Sequence, residues 1–154
     1  MLFSDPLSTS LAYRLDQIAD AYVPLLLLIA LVDVVLRWRN GDKLHCLKLL
    51  YAVVVVYGWM FIDNYFQLWP SVGLDYSTHS AAGFALAVVI GLGKRRAYQY
   101  ALAISLIAYG ALMHLLSYHT GSDMVSTLGV VAGCLLPLFL KLQSRQLQSL
   151  SPQA

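Results

Sequence analysis

Hydrophobic residues occur along this chain in long uninterrupted runs, and polar residues are concentrated in the short segments between them. A helix needs about 20 predominantly apolar residues to cross a membrane. The run "ADAYVPLLLLIALVDVVLRW" is typical, and the run that contains "THSAAGFALAVVIG" is the shortest. Five runs are predicted to be spanning helices, at residues 19–38, 46–63, 78–93, 97–117 and 123–142. The pattern therefore predicts an all-α fold, a polytopic membrane helix bundle of about five transmembrane helices.

The two ends of the chain are more polar than the predicted bundle. Residues 1–17 are predicted to form an N-terminal interfacial segment, with a helix capped near Ser8 to Ser10. Residues 18–142 are predicted to form a single transmembrane bundle domain, and residues 143–154 a cytoplasmic polar tail.

Composition favours a membrane protein over a soluble domain. Hydrophobic residues make up 59% of the chain and the mean hydropathy is +0.67. Charged residues make up only 12%, whereas about 25% is usual for soluble domains. Two cysteines without metal-type spacing predict neither a disulfide nor a cysteine-based metal site.

The basic residues predict the orientation of the bundle. They cluster between the first and second runs, between the third and fourth, and after the fifth, and Arg14 is the exception. The positive-inside rule places these segments in the cytoplasm. We therefore expect a multi-pass protein of the cell inner membrane, with its N-terminus outside and its C-terminus cytoplasmic. The basic segments are interpreted as topology signals, and no nucleic-acid partner is expected. The nine residues on the predicted cytoplasmic side are Arg37, Arg39, Lys43, Lys48, Lys94, Arg95, Arg96, Lys141 and Arg145.

Small residues predict where helices pack closely. Gly129 and Gly133 form a GxxxG pair in the fifth run, and alanines recur along the third and fourth. Small side chains let helix backbones approach each other in lipid. We therefore expect the third, fourth and fifth helices to form the compact core.

The predicted orientation gathers six titratable side chains at the outer, periplasmic end of the bundle. Polar groups near membrane depth are costly and tend to face a bundle interior or a wet cavity. Each of these residues also has a simpler reading as a helix cap or an interfacial side chain. The six are Asp63, Asp75, His79, His114, His119 and Asp123.

Two pairs of these residues have the same spacing. Asp75 and His79 are four residues apart in "DYSTH", and His119 and Asp123 are four apart in "HTGSD". If each segment is helical, the two side chains share a face. A carboxylate beside an imidazole fixes its tautomer and raises its basicity, which suits nucleophilic or general-base catalysis and also metal binding.

These segments resemble motifs of the type-2 phosphatidic acid phosphatase family, over about residues 60–135. "YSTHSA" resembles the second motif, Pro-Ser-Gly-His, with Ser77 and His79 at matching positions. "HTGSD" resembles the third motif, with His119 and Asp123 at matching spacing. The resemblance implies that His119 is a nucleophile that forms a phosphohistidine, that Asp123 orients it, and that His79 protonates the leaving oxygen.

The chain departs from the family at the positions that bind phosphate. Met113 stands where the third motif has an arginine, and "FIDNYFQLWP", with Asp63, stands where the first motif has a lysine and an arginine. Beyond Arg14, the predicted outer half contains no Lys or Arg. Cations normally stabilise the charge of a transferring phosphoryl group, so this end favours a bound cation instead.

A divalent metal such as zinc is therefore a candidate cofactor. Two Asp and two His side chains can bind zinc tetrahedrally, and a bound metal can replace the missing cations as a phosphate clamp. The metal-ligand candidates are Asp63, Asp75, His79, His114, His119 and Asp123.

Three functions remain open from the sequence. The first is a hydrolase or phosphotransferase that acts on a membrane lipid or lipid-linked phosphate at the periplasmic face. The second is a non-catalytic relative that binds lipid, a membrane-protein partner or a second copy of itself. The third is a metal or proton site in a transport accessory protein.

Overall fold

The computed structural model describes residues 6–150, and the surroundings of side chains for residues 10–144. Within that range the chain is all-helical and contains no strand, which confirms the predicted all-α fold. A short 3-10 helix, Pro70–Val72, lies in the connection between the second and third α-helices. The α-helices are α1 (Pro6–Arg39), α2 (Leu44–Phe66), α3 (Thr78–Gly91), α4 (Arg96–Leu115) and α5 (Gly121–Leu150).

The two end helices continue beyond the predicted bundle. Helix α1 begins at Pro6 and runs without interruption past residue 17, so residues 6–17 continue the first spanning helix. Helix α5 likewise continues through the first part of the predicted tail to Leu150. Residues 1–5 and 151–154 of the two predicted end segments lie outside the described residues.

Three helices in the described range are long and apolar enough to cross a membrane, namely Ser10–Arg39 within α1, Leu44–Phe66, and Gly121–Ser144 within α5. Helix α3 is apolar but shorter, with 14 residues, and at 1.5 Å per residue it is about 21 Å long. The chain therefore has the character of a membrane protein.

Helix α3 lies at the centre of the bundle and packs against the other four α-helices. Nine of its 14 residues are buried, whereas only two of the 20 residues of α4 are. Ala81, Ala85 and Val89 are almost completely buried and share one face of α3. Their small side chains allow close approach of neighbouring helices. The compact core therefore also involves α1 and α2, which was not expected from the sequence.

The GxxxG pair on α5 does not contribute to this packing. Gly129 and Gly133 are both exposed, and a Cβ atom added at either would meet no atom of the described chain within 4 Å. The close packing predicted for them within the bundle is therefore wrong.

Candidate functional site

Four of the six predicted site residues meet in one cavity, which we call the outer pocket. It lies at the end of the bundle that carries the α2–α3 and α4–α5 connections, called the outer end after the orientation predicted from the sequence. Its volume is about 330 Å³. It is lined by Asp75, His114, Ser117, Tyr118, His119, Thr120 and Asp123.

A sharp reversal at the end of α4 forms one wall of the outer pocket. Ser117 has a left-handed backbone with φ of 59°. The N–H of Ser117 donates to the carbonyl of His114, and the N–H of Tyr118 donates to the carbonyl of Met113. These are the bonds of a Schellman motif, which usually has glycine at the left-handed position. The reversal turns the chain so that His119 follows the helix end and lines the pocket.

The start of α5 forms the adjoining wall through a capping box. Thr120 Oγ1 accepts from the N–H of Asp123 at 3.3 Å, and Asp123 Oδ2 accepts from the N–H of Thr120 at 2.8 Å. This reciprocal pair satisfies two N–H groups that a helix start would otherwise leave unbonded. The sequence signal for it was present as "TGSD", a Thr followed three residues later by an acid.

The same carboxylate of Asp123 also holds the loop before α3. Its Oδ1 accepts from the N–H of Asp75 at 3.0 Å. Asp123 is 6% exposed, and no hydrogen bond or ion pair joins it to His119 in the described chain. Asp123 is therefore placed to join two loops, and its interaction with His119 is electrostatic and not a direct hydrogen bond.

The carboxylate that faces His119 belongs to Asp75. Asp75 Oδ2 lies 3.3 Å from His119 Nδ1, which is ion-pair distance. The N–H direction is not aligned for a hydrogen bond, so Nδ1 has no hydrogen-bond partner in the described chain. Catalytic hydrogen bonds are often long or misaligned in the absence of substrate. The side chain of His119 is 14% exposed and that of Asp75 is 68% exposed.

The structure therefore pairs Asp75 with His119, and not with His79 as the spacing in the sequence suggested. Residues 74–77 and 118–120 are not helical, so Asp75 and His79 do not share a helix face, nor do His119 and Asp123. Two loops instead place Asp75 against His119. The assumption of local helix was the step that failed.

His114 is the second imidazole of the outer pocket. It lies in the last turn of α4 and is exposed. Its Nδ1 is 3.4 Å from the backbone carbonyl oxygen of His119. Both histidines of the α4–α5 connection therefore face the same cavity.

His79 and Asp63 do not line this pocket. His79 is the second residue of α3 and is exposed, after Ser77, which caps the helix. Asp63 is buried near the end of α2, where its Oδ1 accepts from the N–H of Trp69 at 2.8 Å. Asp63 therefore stabilises the α2–α3 connection.

The described residues contain no group of three or more His, Cys, Asp or Glu side chains placed to hold a metal ion. Asp123 is committed to backbone N–H donors, and Asp63 and His79 lie outside the outer pocket. The zinc site expected from the six residues thus has no support in the structure.

Buried polar contacts fix the loop that carries Asp75. The N–H of Ser77 donates to Thr127 Oγ1 at 3.1 Å, and Trp69 Nε1 donates to Ser126 Oγ at 2.9 Å. Ser77 and Thr127 are completely buried. Because buried polar groups are costly to leave unbonded, these contacts hold the α2–α3 connection against α5. They thereby fix the position of Asp75 in the lining of the outer pocket.

The remaining wall of the outer pocket connects to α1. The hydroxyl of Tyr118 donates a hydrogen bond to the carboxylate of Asp16. This bond stabilises the neutral phenol and raises the pKa of Tyr118 to about 12.

Comparison with known protein families, curated proteins and solved structures gives no match.

A second cluster of charges lies at the opposite end of the bundle, and we call it the inner ion network. Asp33 of α1 is its centre. Its Oδ2 is 2.9 Å from Arg37 Nε and 3.0 Å from His45 Nε2, and its Oδ1 is 2.8 Å from Lys94 Nζ. Arg37 also donates to the carbonyl of Leu92 at 3.2 Å. The network thus joins α1, the start of α2 and the α3–α4 connection.

Asp33 lies near the end of α1, where an acid is usually solvated. Its side chain is in fact only 13% exposed, and that of His45 is 1% exposed. The signal was available, because Asp33 and Arg37 are four residues apart within a helix. The contacts of Asp33 with His45 and Lys94 join distant parts of the chain and had no local signal.

Proposed function

We propose that this protein is a multi-pass inner-membrane hydrolase or phosphotransferase that acts on a lipid-linked phosphate at the periplasmic face. The observation that supports it best is the Asp75–His119 pair inside the outer pocket. A carboxylate beside an imidazole in a small open cavity is the arrangement that nucleophilic catalysis by histidine requires. The family resemblance of the same segments supports the same chemistry.

The proposed topology has all five helices in the membrane, with the N-terminus outside. Alternating passes put the α1–α2 and α3–α4 turns and the end of α5 on one side, and nine of the ten basic residues belong to that side. The outer pocket then faces the periplasm. Helix α3 is shorter than a typical span, but the other helices enclose it.

His119 is the proposed nucleophile and Asp75 is the residue that orients it. The carboxylate of Asp75 lies on the Nδ1 side of the ring, at 3.3 Å, so Nε2 attacks phosphorus while the bond from phosphorus to the lipid oxygen breaks. The leaving oxygen takes a proton from the imidazolium of His114, which lines the same pocket. Water then attacks the phosphohistidine, the nitrogen–phosphorus bond breaks, and the proton of the water returns to His114. Asp123 positions both loops without touching the reacting atoms.

Charge complementarity makes this chemistry dependent on pH. Among the described residues, no Lys or Arg lines the outer pocket, whereas two aspartates do. The phosphate therefore depends on a protonated imidazole for a positive charge, and imidazoles lose that charge between about pH 5 and pH 8. Because the nucleophile His119 must be neutral while the donor His114 must be protonated, we expect activity to pass through a maximum and to fall at both lower and higher pH.

The test is phosphate release from phosphatidic acid by the purified protein in lipid nanodiscs. We expect His119→Gln to lower the rate by about 10²–10⁴-fold, with unchanged thermal unfolding. Asp75→Asn should also lower the rate, because the imidazole loses its orienting charge. His79→Gln should leave it nearly unchanged, because His79 does not line the pocket. If His79→Gln abolishes release and His114→Gln does not, the proton donor is His79, as the family resemblance implies.

A second candidate is a non-catalytic protein that binds a lipid or a membrane partner. The acidic lining of the outer pocket, to which the described part of the chain contributes no Lys or Arg, favours this alternative. It predicts no phosphate release by the wild-type protein across the pH range. It also predicts that His119→Gln leaves lipid binding intact.

A further inference from the structure

An apolar groove lies beside the outer pocket. Its outer half has a volume of about 350 Å³ and lies between α3, α4 and α5. Gly121 and Met124 of α5 line it, next to Thr120 and Asp123, which line the outer pocket. The groove and the pocket therefore lie against neighbouring residues of the first turn of α5.

The groove continues toward the inner end between α3 and α4. The inner half has a volume of about 250 Å³ and shares Phe84, Ala103 and Leu106 with the outer half. Along α3 the lining extends from Ser80 to Leu92, which is about 18 Å at 1.5 Å per residue. One leaflet of a bilayer has a hydrocarbon depth of about 15 Å, so the groove has the length of one lipid chain.

The dimensions of the apolar groove determine which ligand can occupy it. A helix with its side chains is about 10 Å across and is too wide for cavities of 250 and 350 Å³. The lining is almost entirely apolar, which does not suit a water-soluble ligand. A single hydrocarbon chain satisfies both limits, and the surrounding bilayer supplies such chains.

The geometry points to a lipid site in which this groove holds one acyl chain of a phospholipid while its headgroup phosphate lies in the outer pocket. The position of the headgroup rests on the proposed function, whereas the position of the chain follows from the groove. An amphipathic ligand joins the two cavities because polar and apolar walls meet at the start of α5. Ala103 is the residue whose enlargement blocks the groove at its middle.

The experiment uses phosphatidic acid with a photoreactive diazirine at the end of one acyl chain, incorporated in phosphatidylcholine nanodiscs with the full-length protein. Crosslinked peptides are mapped by mass spectrometry. We expect adducts concentrated on the groove faces of α3 and α4. Ala103→Phe should lower their yield about tenfold, equivalent to a loss of 1.4 kcal/mol in binding.

The matched control is Ala108→Phe. Ala108 is exposed on the same helix and lines none of these cavities, so its yield of adducts should stay at the wild-type level. If Ala103→Phe does not fold, Gly110→Leu fills the outer half instead, where a Cβ would meet Met124 Sδ at a permissible 3.9 Å.

Adducts spread evenly over the exposed helix faces, or unaffected by either groove variant, would overturn the inference. Phosphate release measured in the same nanodiscs separates the two proposals. If phosphate is released but the groove variants do not change the crosslinking, the acyl-chain site is contradicted and the proposed hydrolysis is not. If the groove variants lower the crosslinking but no phosphate is released, the proposed hydrolysis is contradicted and the acyl-chain site is not.

Discussion

The outer pocket and the inner ion network are each built around one aspartate, and the two carboxylates have different kinds of partner. Asp123 accepts from the backbone N–H groups of Asp75 and Thr120. Asp33 faces the side chains of Arg37, His45 and Lys94. Asp123 therefore fixes the path of two loops, whereas Asp33 neutralises cations and joins three segments of the chain.

This difference explains why only the outer end has the features of a reactive site. At the inner end the acid is surrounded by cations, so its charge is used in structure. At the outer end Asp123 is bound by neutral donors, and the pocket retains Asp75 and two histidines that line open space. The chemistry of aspartate is the same in both places, and its neighbours decide its role.

The largest expected effect is that of removing the charge of Asp33. Asp33→Asn leaves Arg37 and Lys94 without their shared carboxylate, and loss of one partner from a largely buried ion pair costs about 3 kcal/mol. We expect the free energy of unfolding in detergent to fall by about that amount. The control is Asp20→Asn, at an exposed site on the same helix, with an expected change below about 0.5 kcal/mol. Equal stability of the two variants would show that the inner ion network does not stabilise the fold.

A smaller effect is expected for Asp123. Asp123→Asn keeps one acceptor oxygen but loses the charge and the second acceptor, so one loop N–H is left unbonded at a cost of about 2 kcal/mol. Hydrogen exchange at the amides of Asp75 and Thr120 should become faster. Asp75→Asn is the control for stability, because its side chain is 68% exposed. Unchanged exchange in Asp123→Asn would contradict the role of Asp123 as the joint between the loops.

The smallest effect concerns Tyr118. Its hydrogen bond to Asp16 raises the pKa from 10.0 to about 12, so the folded protein holds a proton that the unfolded chain releases near pH 10. The stabilisation is therefore present below pH 10 and is lost as pH rises toward 12. Phenolate absorbance measured against pH should lose one component that titrates near pH 12 in Tyr118→Phe. If the wild-type and Tyr118→Phe curves have the same shape above pH 11, the hydrogen bond does not form in solution.

The helices could be predicted from sequence more completely than the contacts between them. Runs of apolar residues are local signals, and each predicted run corresponds to one of the five α-helices. The central position of α3 was not predicted, because burial by four neighbours depends on tertiary packing. Gly129 and Gly133 illustrate the same limit, since their spacing permits close packing but does not supply a partner.

The site was predicted in part for a similar reason. Four of the six predicted residues meet at one end of the bundle and line the outer pocket. The pairing of Asp75 with His119 could not be read from spacing, because two loops from separate connections form it. The capping box of Thr120 and Asp123 could be predicted from the sequence. It uses the carboxylate of Asp123 in the helix cap, which argues against a catalytic role for that side chain.

The short central helix has a consequence for the bilayer around the protein. Helix α3 is about 21 Å long, whereas the hydrocarbon core of a bilayer is about 30 Å thick. In the proposed topology, the longer helices shield this hydrophobic mismatch from lipid except where α3 borders open grooves, beside α4 and between α1 and α2. A bilayer adapts to a short apolar surface by thinning. Lipid headgroups would then descend toward the start of α5, and the membrane itself would bring them to the level of His119.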